Sequence, residues 1–324
     1  MPRIRDLIAI NNPIADHVAA RAPDARIAPV PRSPMSSPVI PPPHAPGAMR
    51  LDDAVRRLRA EPAFADLVRD AYLGRDVADS ARRFAASGEF AEVRALLGTA
   101  LRRAVVADLG AGTGIASHAF LAHGATRAVA LEPDPSDEVG QAAIRRLPGG
   151  AAIEIVSAYA ERLPLANAST DIVYARQVLH HTRDLAAALH ECARVLRPGG
   201  IFLACREHVV DDDAGLQRFL AEHPVHRLAG GENAYRLAQY EGAIIGAGLR
   251  LERMLGPWDS VINAFPAVRS DAELRELPRT RLRARFGALG AAAARVPAVV
   301  SLVRRRLERP NPGRMYSFLA RKQG

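Results

Sequence analysis

The stretch that decides the fold reads Val105-Val106-Ala107-Asp108-Leu109-Gly110-Ala111-Gly112-Thr113-Gly114. Its apolar first half predicts a buried strand over Ala104–Leu109, and its glycines predict a tight turn into a helix. The glycines follow the pattern G-x-G-x-G, and position 115 is Ile. The G-x-G-x-x-G fingerprint of dinucleotide-binding proteins is therefore not met, so the loop favours a different nucleotide-like ligand over NAD.

Alternating strands and helices are predicted downstream of this loop. The predicted strands are 104–109, 127–131, 152–156, 171–175 and 201–205, and the predicted helices are 114–123, 136–146 and 184–196. This β-α-β order predicts parallel strands with right-handed crossovers and helices on both faces of the sheet. Ligands of such sheets bind beyond the carboxyl ends of the strands, so we expect the functional residues in the loops that follow them.

Two acidic residues stand at predicted strand ends. Asp108 lies within an apolar strand end, where a carboxylate is costly unless donors satisfy it. Glu132 ends the second strand and precedes Pro133. A carboxylate at this place can accept hydrogen bonds from two ribose hydroxyls, whereas an isolated Glu would more often be a solvated surface residue.

Three further segments follow in order: Ala160-Glu161-Arg162-Leu163-Pro164, Gln177-Val178-Leu179-His180-His181 and Arg194-Val195-Leu196-Arg197-Pro198-Gly199-Gly200. Together with the glycine loop and the Leu131-Glu132-Pro133 strand end, they resemble the small-molecule branch of the class I S-adenosylmethionine-dependent methyltransferases. The resemblance covers roughly residues 100–206. It implies an α/β, Rossmann-like, doubly wound sheet of seven strands. It also implies that the last two strands, Leu249–Leu255 and Met315–Arg321, form an antiparallel hairpin at the sheet edge.

The same resemblance implies S-adenosylmethionine as the cofactor and methyl transfer as the activity. The residues it assigns to cofactor binding are Asp108, Gly110, Gly112, Gly114, Glu132, Pro133, Ala160, Glu161 and Gln177. The family usually has an acidic residue directly before the Ala-Glu pair. This chain has Tyr159 at that position.

Candidate catalytic residues follow the fourth and fifth predicted strands. His180 and His181 follow the fourth, and Glu207 and His208 follow the fifth. Histidine suits general base catalysis near neutral pH, which an acceptor hydroxyl would need. The alternative interpretation is that one histidine packs against the cofactor and the other faces solvent. The polar loop His226–Tyr235 could cover the acceptor pocket, or begin a helix with Asn233 as its N-cap.

Outside the core, the sequence predicts four further regions of the chain. Residues 1–50 are rich in proline and predict a disordered tail. Residues 51–98 predict a helical cap before a core of residues 99–258. Residues 259–312 predict an Arg-rich helical insertion, and residues 313–324 the final edge strand of the sheet.

The charge of the chain is concentrated near its C-terminal end. Residues 259–324 hold 14 basic and 5 acidic residues, which accounts for the whole net charge of +9. The excess could bind an anionic partner such as RNA, or reflect arginine-rich codon usage. Without interleaved aromatic residues, nucleic acid is an unexpected partner. The apolar face of Val296, Val299, Val300, Val303 and Leu307 predicts a helix that packs on the sheet domain.

Other classes of site are not expected. Cys192 and Cys205 have no metal-ligand spacing, so we expect reduced thiols and no metal. No segment predicts a signal peptide or a membrane span, so a cytoplasmic enzyme is expected. The preferred function is methylation of a small-molecule or glycan-type hydroxyl. The alternatives are RNA methylation and non-catalytic ligand binding on the same scaffold, and the oligomeric state stays open.

Overall fold

A computed structural model of the protein describes residues 49–307 and 313–324. Its centre is an eight-stranded sheet with the order β3-β2-β1-β4-β5-β8-β7, and the short strand β6 pairs with β5 beside this path. The strands are β1 Val105–Leu109, β2 Arg127–Leu131, β3 Ile153–Val156, β4 Thr170–Arg176, β5 Leu196–Val210, β6 Tyr235–Arg236, β7 Leu249–Leu255 and β8 Arg314–Lys322. The predicted doubly wound α/β class is confirmed, with one short strand more than expected.

The sheet is parallel from β3 to β5 and antiparallel beyond. The register places Leu109 of β1 beside Leu131 of β2 and Ala175 of β4. Because neighbouring parallel strands end together, the loops after β1, β2 and β4 meet at one edge of the sheet. This edge is where the sequence analysis placed the functional residues.

The helices within the described residues cover both faces of the sheet. They are α1 Leu51–Ala60, α2 Ala65–Asp70, α3 Val77–Ala85, α4 Gly88–Leu97, α5 Ile115–Ala122, α6 Gln141–Arg145, α7 Leu185–Val195, α8 Asp213–Glu222, α9 Pro224–Ala229, α10 Leu237–Gly246, α11 Val261–Ala264, α12 Asp271–Ala293 and α13 Pro297–Leu307. One buried cluster includes Phe84, Phe90 and Phe120 against Val106 and Tyr174. A second, on the other face, includes Leu189, Cys192 and Tyr240 against Leu109 and Phe202. Successive side chains of one strand therefore pack into two separate cores, one on each face of the sheet.

A bulge interrupts β5. The register with β8 shifts between Ala204 and Glu207, and Arg206 has a φ of 62°. Phe202 and Ala204 pack in the same cluster as Val209, which an unbroken two-residue alternation would not allow. The extra residue thus changes which face the following side chains occupy, as bulges beside functional sites do.

Several predicted elements differ in detail. The fifth strand extends well beyond 201–205 at both ends, so Glu207 and His208 lie inside it and not in a loop. The predicted helix 136–146 shrinks to α6. The N-cap of α10 is Arg236 and not Asn233. The strand of residues 313–324 is not an edge strand, because β8 lies between β5 and β7 and leaves β7 at the edge.

The region between β7 and β8 is helical, but it does not pack as expected. Helix α13 carries the valine face, yet none of its residues is buried, and it contacts α12 instead of the sheet. The predicted tail falls almost entirely on residues 1–48, and Arg309 with the end of the predicted insertion falls on 308–312. Both lie outside the described residues. No helix in the described part of the chain is long and apolar enough to cross a membrane.

Candidate active site

The three glycines of the loop after β1 have different roles. All have positive φ, at 59° for Gly110, 54° for Gly112 and 76° for Gly114. A Cβ at Gly110 would lie 2.5 Å from the Cγ2 of Val178, and one at Gly114 would lie 3.0 Å from two apolar side chains. A Cβ at Gly112 would meet only a backbone oxygen at 3.7 Å. Packing therefore requires the first and third glycines, whereas the space beside Gly112 is open, as close approach of a ligand to the backbone needs.

Asp108 secures the loop from inside the protein. It is 2% exposed, and its Oδ2 accepts hydrogen bonds from the amide of Ser117 at 2.9 Å and from its hydroxyl at 2.7 Å. Burial raises the pKa of Asp108 to about 6, although both bonds oppose the shift. The carboxylate thus joins the end of β1 to the first turn of α5. The sequence analysis did not identify Ser117 as this partner, since a serine in an apolar helix carries no distinctive signal.

Glu132 joins the ends of β1 and β2. Its Oε2 accepts the amide of Gly112 at 2.7 Å, and its Oε1 accepts the amide of Asp134 at 2.8 Å. Burial raises the pKa of Glu132 to about 7 against both hydrogen bonds. A carboxylate has about four acceptor positions, so two oxygens already bound to amides can still accept ribose hydroxyls.

The other predicted cofactor residues surround this edge. Pro133 continues from Glu132, and Ala160 is buried. The side chain of Glu161 accepts the amide of Arg183 at 2.8 Å, so it supports the loop before α7. Gln177 directly follows β4 and has a φ of 56°. Such a backbone is unfavourable for a residue with a side chain and is common at functional sites.

A cavity of about 440 Å³ opens beside the ends of β4 and β5. Its walls come from three parts of the chain: the segment around α2, the strand ends, and α8 with the loop after α9. Residues from these parts include Phe64, Leu67, Gln177, His180, His181, Arg206, His208, Phe219, His223 and Glu232. The lining does not include the glycine loop, Glu132, Ala160 or Glu161. Of the predicted cofactor residues, Gln177 lines the cavity, whereas the glycine loop and Glu132 lie beside it at the same sheet edge.

Glu207 orients His180. The carboxylate of Glu207 is fully buried, and it accepts the Nδ1–H of His180 at 2.7 Å and the backbone amides of Val178 and His180 at 3.1 Å each. Burial lowers the pKa of His180, but the hydrogen bond to Glu207 and the nearby carboxylate of Glu232 outweigh it and raise the value to about 9. Glu207 therefore acts on His180 and does not reach the cavity itself.

His181 and His208 differ in exposure. The side chain of His181 is 43% exposed, and its Nδ1 lies 3.0 Å from the carbonyl oxygen of Gly231. His208 is buried, and its Nδ1 lies 2.8 Å from the carbonyl oxygen of Gly313. Burial lowers the pKa of His208 well below its usual value. Since a carbonyl only accepts, each Nδ1 must donate, which leaves Nε2 as the free nitrogen of both rings.

Sequence analysis missed Glu232 and His223. The Oε2 of Glu232 lies 3.5 Å from the Nε2 of His180 and 3.7 Å from that of His181, and its Oε1 lies 3.6 Å from the Nδ1 of His223. Glu232 is in the polar loop that was predicted to cover the pocket. Its glycine-rich surroundings suggested a loop, but nothing local indicated that its carboxylate would meet the histidines after β4.

Two arginines also line the cavity. Arg176 pairs with the buried Glu89, with the Nε at 2.6 Å from the carboxylate. Arg206 is 4% exposed and donates from Nη1 to the backbone oxygens of Ile262 and Phe265. Within the described part of the chain, its Nε is buried without a hydrogen-bond partner, and no carboxylate forms a salt bridge with it. A buried cation of this kind is costly unless an anion approaches it.

A doubly wound sheet with a glycine loop and an acidic residue at adjacent strand ends defines a protein that binds a nucleotide-like ligand at its switch point. Residues 107–204 match the family model described as a methyltransferase domain. This segment contains the glycine loop, Glu132 and His180, and it is thus similar to the methyltransferase domains that use S-adenosylmethionine as their methyl donor.

Named relatives share part of the chain. It is 27% identical over 162 residues to a ubiquinone biosynthesis O-methyltransferase of Agrobacterium fabrum, covering 48% of this chain and 64% of that protein. It is 31% identical to the protein of the same name from Rhizobium rhizogenes, covering 40% and 52%. It is 38% identical to a malonyl-[acyl-carrier protein] O-methyltransferase of Methylococcus capsulatus, covering 29% and 34%. In each case the match spans less than two thirds of the relative.

The structure is also similar to that of an S-adenosylmethionine-dependent methyltransferase from Mesorhizobium loti. The TM-score is 0.49 and the sequence identity 20%, over 73% of this chain and 99% of the other.

Proposed function

We propose that this protein transfers a methyl group from S-adenosylmethionine to an oxygen atom of a small-molecule or glycan-type acceptor. The observation that carries the proposal is the position of the 440 Å³ cavity at the ends of β4 and β5, beside the glycine loop of a methyltransferase domain. The names of the relatives, which are O-methyltransferases, support oxygen as the methylated atom.

The proposed cofactor site uses the open side of the glycine loop. The space beside Gly112 fits a ligand that approaches the backbone, and Glu132 stands next to it to accept the ribose hydroxyls. Asp108 keeps the loop in place through Ser117. Backbone atoms of Ala160 and Glu161 would border the adenine, and Gln177 lies between this site and the cavity. When bound, the cofactor supplies an electrophilic methyl group on a sulfonium.

The proposed acceptor site is the cavity. Helices α8 and α9 and the segment around α2 form its walls, which hold the acceptor near the methyl group and reduce its contact with water. Such positioning contributes much of the rate in a displacement of this kind. An acceptor hydroxyl must also lose its proton, and the cluster of His180, His181 and Glu232 on the cavity wall is the group that would take part in this step.

The charge of the cavity indicates what else the acceptor carries. Glu89 balances Arg176, whereas Arg206 forms no salt bridge with a carboxylate among the described residues. We therefore expect the acceptor to bear an acidic group that reaches Arg206, since a planar guanidinium binds a carboxylate or phosphate well.

A labelled-methyl assay tests the function. Protein is incubated with S-adenosylmethionine labelled in the methyl group and a small-molecule extract, and the labelled product is isolated. We expect one main product, base-stable as a methyl ether or hydrolysed as a methyl ester, that binds an anion exchanger. Label on nitrogen would contradict O-methylation, and a product without an acidic group would contradict the role of Arg206.

Calorimetric titration tests cofactor binding independently of methyl transfer. We expect S-adenosylhomocysteine to bind and NAD not to bind. Binding of NAD alone would overturn the cofactor assignment. Tight binding of S-adenosylhomocysteine without transfer to any extract would favour a non-catalytic protein on the same scaffold, and label in RNA would favour an RNA methyltransferase.

A further inference from the structure

His180, His181 and Glu232 bring three potential metal ligands together on the cavity wall. One ring nitrogen of each histidine and a carboxylate oxygen of Glu232 all lie within 4.8 Å of one another. They come from the turn after β4 and from the loop before β6, so the fold and not a local motif assembles them. The cluster lies at the acceptor side of the proposed active site and apart from the glycine loop.

The distances in the cluster are too long for good hydrogen bonds. Glu232 is 3.5 Å from the Nε2 of His180, 3.7 Å from that of His181 and 3.6 Å from the Nδ1 of His223. Hydrogen bonds between nitrogen and oxygen are usually 2.7–3.2 Å long. Ligands that each lie about 2.0–2.1 Å from one tetrahedral ion are separated by about 3.3 Å. The distances from Glu232 to His180 and His181 are therefore close to those between ligands of one ion.

The histidines are oriented as metal ligands usually are. The Nδ1 of His180 donates to Glu207, and the Nδ1 of His181 donates to the carbonyl of Gly231. Metal-binding histidines generally give their second N–H to a carboxylate or a backbone carbonyl, which fixes the tautomer and the ring orientation. Both rings thus turn their Nε2 atoms towards Glu232.

The loop before β6 is built to bring Glu232 into place. Gly230 and Gly231 have φ values of 69° and 83°, in the region that favours glycine. Two such residues in succession turn the chain so that Gly231 contacts His181 while the next side chain points at both rings. Within the described residues, the Glu232 carboxylate forms its ion-pair contacts with histidines.

We propose that His180 Nε2, His181 Nε2 and the carboxylate of Glu232 bind one divalent transition-metal ion of the zinc type. Two imidazoles and one carboxylate are a known ligand set for catalytic zinc, with further positions open to water or substrate. The 43% exposed His181 marks the side from which the ion enters. Binding of the ion does not depend on the proposed function. The role of the ion does depend on the proposed function: in methyl transfer, the ion would hold the acceptor hydroxyl and lower the pKa of that hydroxyl.

Direct measurement of metal binding tests this proposal. Chelator-treated full-length protein is titrated with Zn²⁺ by calorimetry, and Co²⁺ binding is followed by visible absorption, because tetrahedral nitrogen and oxygen coordination gives a distinct spectrum. We expect one saturable site per chain. Glu232→Gln should weaken Zn²⁺ binding at least tenfold, and His181→Asn should do the same. Glu207→Gln should weaken it by about 10- to 100-fold through the orientation of His180.

A surface histidine provides the matched control. His190 is exposed on α7 and bonds only within its own helix, so His190→Ala should leave the Zn²⁺ affinity unchanged. Circular dichroism checks that each variant is folded. If Glu232→Gln does not fold, His181→Asn tests the same metal site. Equal Zn²⁺ affinity of the wild type and the folded variants would overturn the proposal, as would the absence of a saturable site in the wild type. Neither readout uses methyl transfer, so failure of the proposed function would be seen separately as a lack of labelled product.

Discussion

At the scale of single residues, the two buried carboxyls of the cofactor side are held by protein donors alone. Asp108 accepts from Ser117, and Glu132 accepts from Gly112 and Asp134. Burial nevertheless raises the pKa of both, to about 6 and about 7. The folded protein therefore binds a proton at these sites more tightly than the unfolded chain does.

This raised pKa predicts a particular pH dependence of stability. The ordinary pKa of Glu132 is 4.5 and its folded value is about 7, so the stability it contributes is present below pH 4.5 and is lost as pH rises through about 7. Glu132→Gln stays neutral and avoids this loss. Between about pH 4 and about pH 8, the free energy of unfolding of Glu132→Gln should therefore rise relative to the wild type by roughly 3 kcal/mol, at 1.36 kcal/mol per pKa unit.

Urea unfolding of both proteins at the two pH values measures the effect. Glu154→Gln is the control, because Glu154 is on β3 at the surface, where it pairs with Arg127. The control should show no comparable change relative to the wild type. An equal difference between wild type and Glu132→Gln at both pH values would show that the pKa of Glu132 is the same in the folded and unfolded protein.

Binding supplies a second test of the same residue. Hydrogen bonds to a charged group contribute roughly 1.5–3 kcal/mol, so loss of the ribose contact in Glu132→Ala should weaken S-adenosylhomocysteine binding at least tenfold. Calorimetric titration against Glu154→Gln measures it. Unchanged affinity in a folded Glu132→Ala protein would remove Glu132 from the cofactor site.

At the scale of the element, the glycine loop and the β5 bulge place the two halves of the site. Gly110 and Gly114 are glycines because neighbouring side chains occupy the space of a Cβ, while Gly112 faces open space. The bulge at Arg206 turns Glu207 towards His180 and leaves Arg206 at the cavity. Both elements use unusual backbone conformations to aim particular groups.

Gly112→Ala should separate ligand binding from folding. An alanine at this positive φ strains the backbone by roughly 1 kcal/mol, but the side chain meets no protein atom closer than 3.7 Å. Gly149→Ala is the matched control, since Gly149 has a φ of 74° and a Cβ there would meet nothing within 4 Å. Both variants should lose similar stability, and only Gly112→Ala should lose tenfold or more in S-adenosylhomocysteine affinity. Equal affinities would place the cofactor away from Gly112.

The elements also explain what the sequence could predict. The bounds of β2 match the predicted 127–131, because an apolar run marks this strand. The bounds of β7 match 249–255, which the resemblance to the methyltransferase family implied. The full length of β5 was not predicted, since Pro198 and Gly199 resemble a turn and the polar Arg206 to His208 resemble a loop. Pairing with β8, far along the chain, overrides these local preferences. For the same reason local motifs suffice to predict candidate cofactor residues, whereas no local motif indicates that Glu232 and His223 lie near His180.

At the scale of the whole molecule, the positive charge and the proposed site are separate. The whole excess of nine charges lies in residues 259–324. Much of it is on α12 and α13, where Arg304, Arg305 and Arg306 are exposed. The cavity, in contrast, is lined by histidines and by both acidic and basic residues. The charged surface is therefore not needed to explain recognition of a small acceptor.

We predict that this surface does not bind nucleic acid. Each lost phosphate contact would reduce the slope of log affinity against log salt by about 0.7 to 0.9, so loss of three arginines would be visible if they bound RNA. A gel-shift titration with mixed RNA compares the wild type with a variant in which Arg304, Arg305 and Arg306 are alanine. We expect no shift at physiological salt for either protein. A micromolar, salt-sensitive shift of the wild type that the triple variant lacks would support RNA methylation instead.

The position of β8 has a consequence for how the protein is made. β8 follows β7 in the chain, yet it lies between β5 and β7 in the sheet. On the ribosome, β7 and helices α11 to α13 emerge before the strand that β7 pairs with, so β5 and β7 both present unpaired edges until Arg314–Lys322 leaves the exit tunnel. Unpaired edges are sites at which nascent chains associate wrongly. The buried Ser317 on this last strand also bonds Asn263 and the amide of Arg206. The part of β5 that lines the cavity is therefore fully bonded only after β8 has been synthesised.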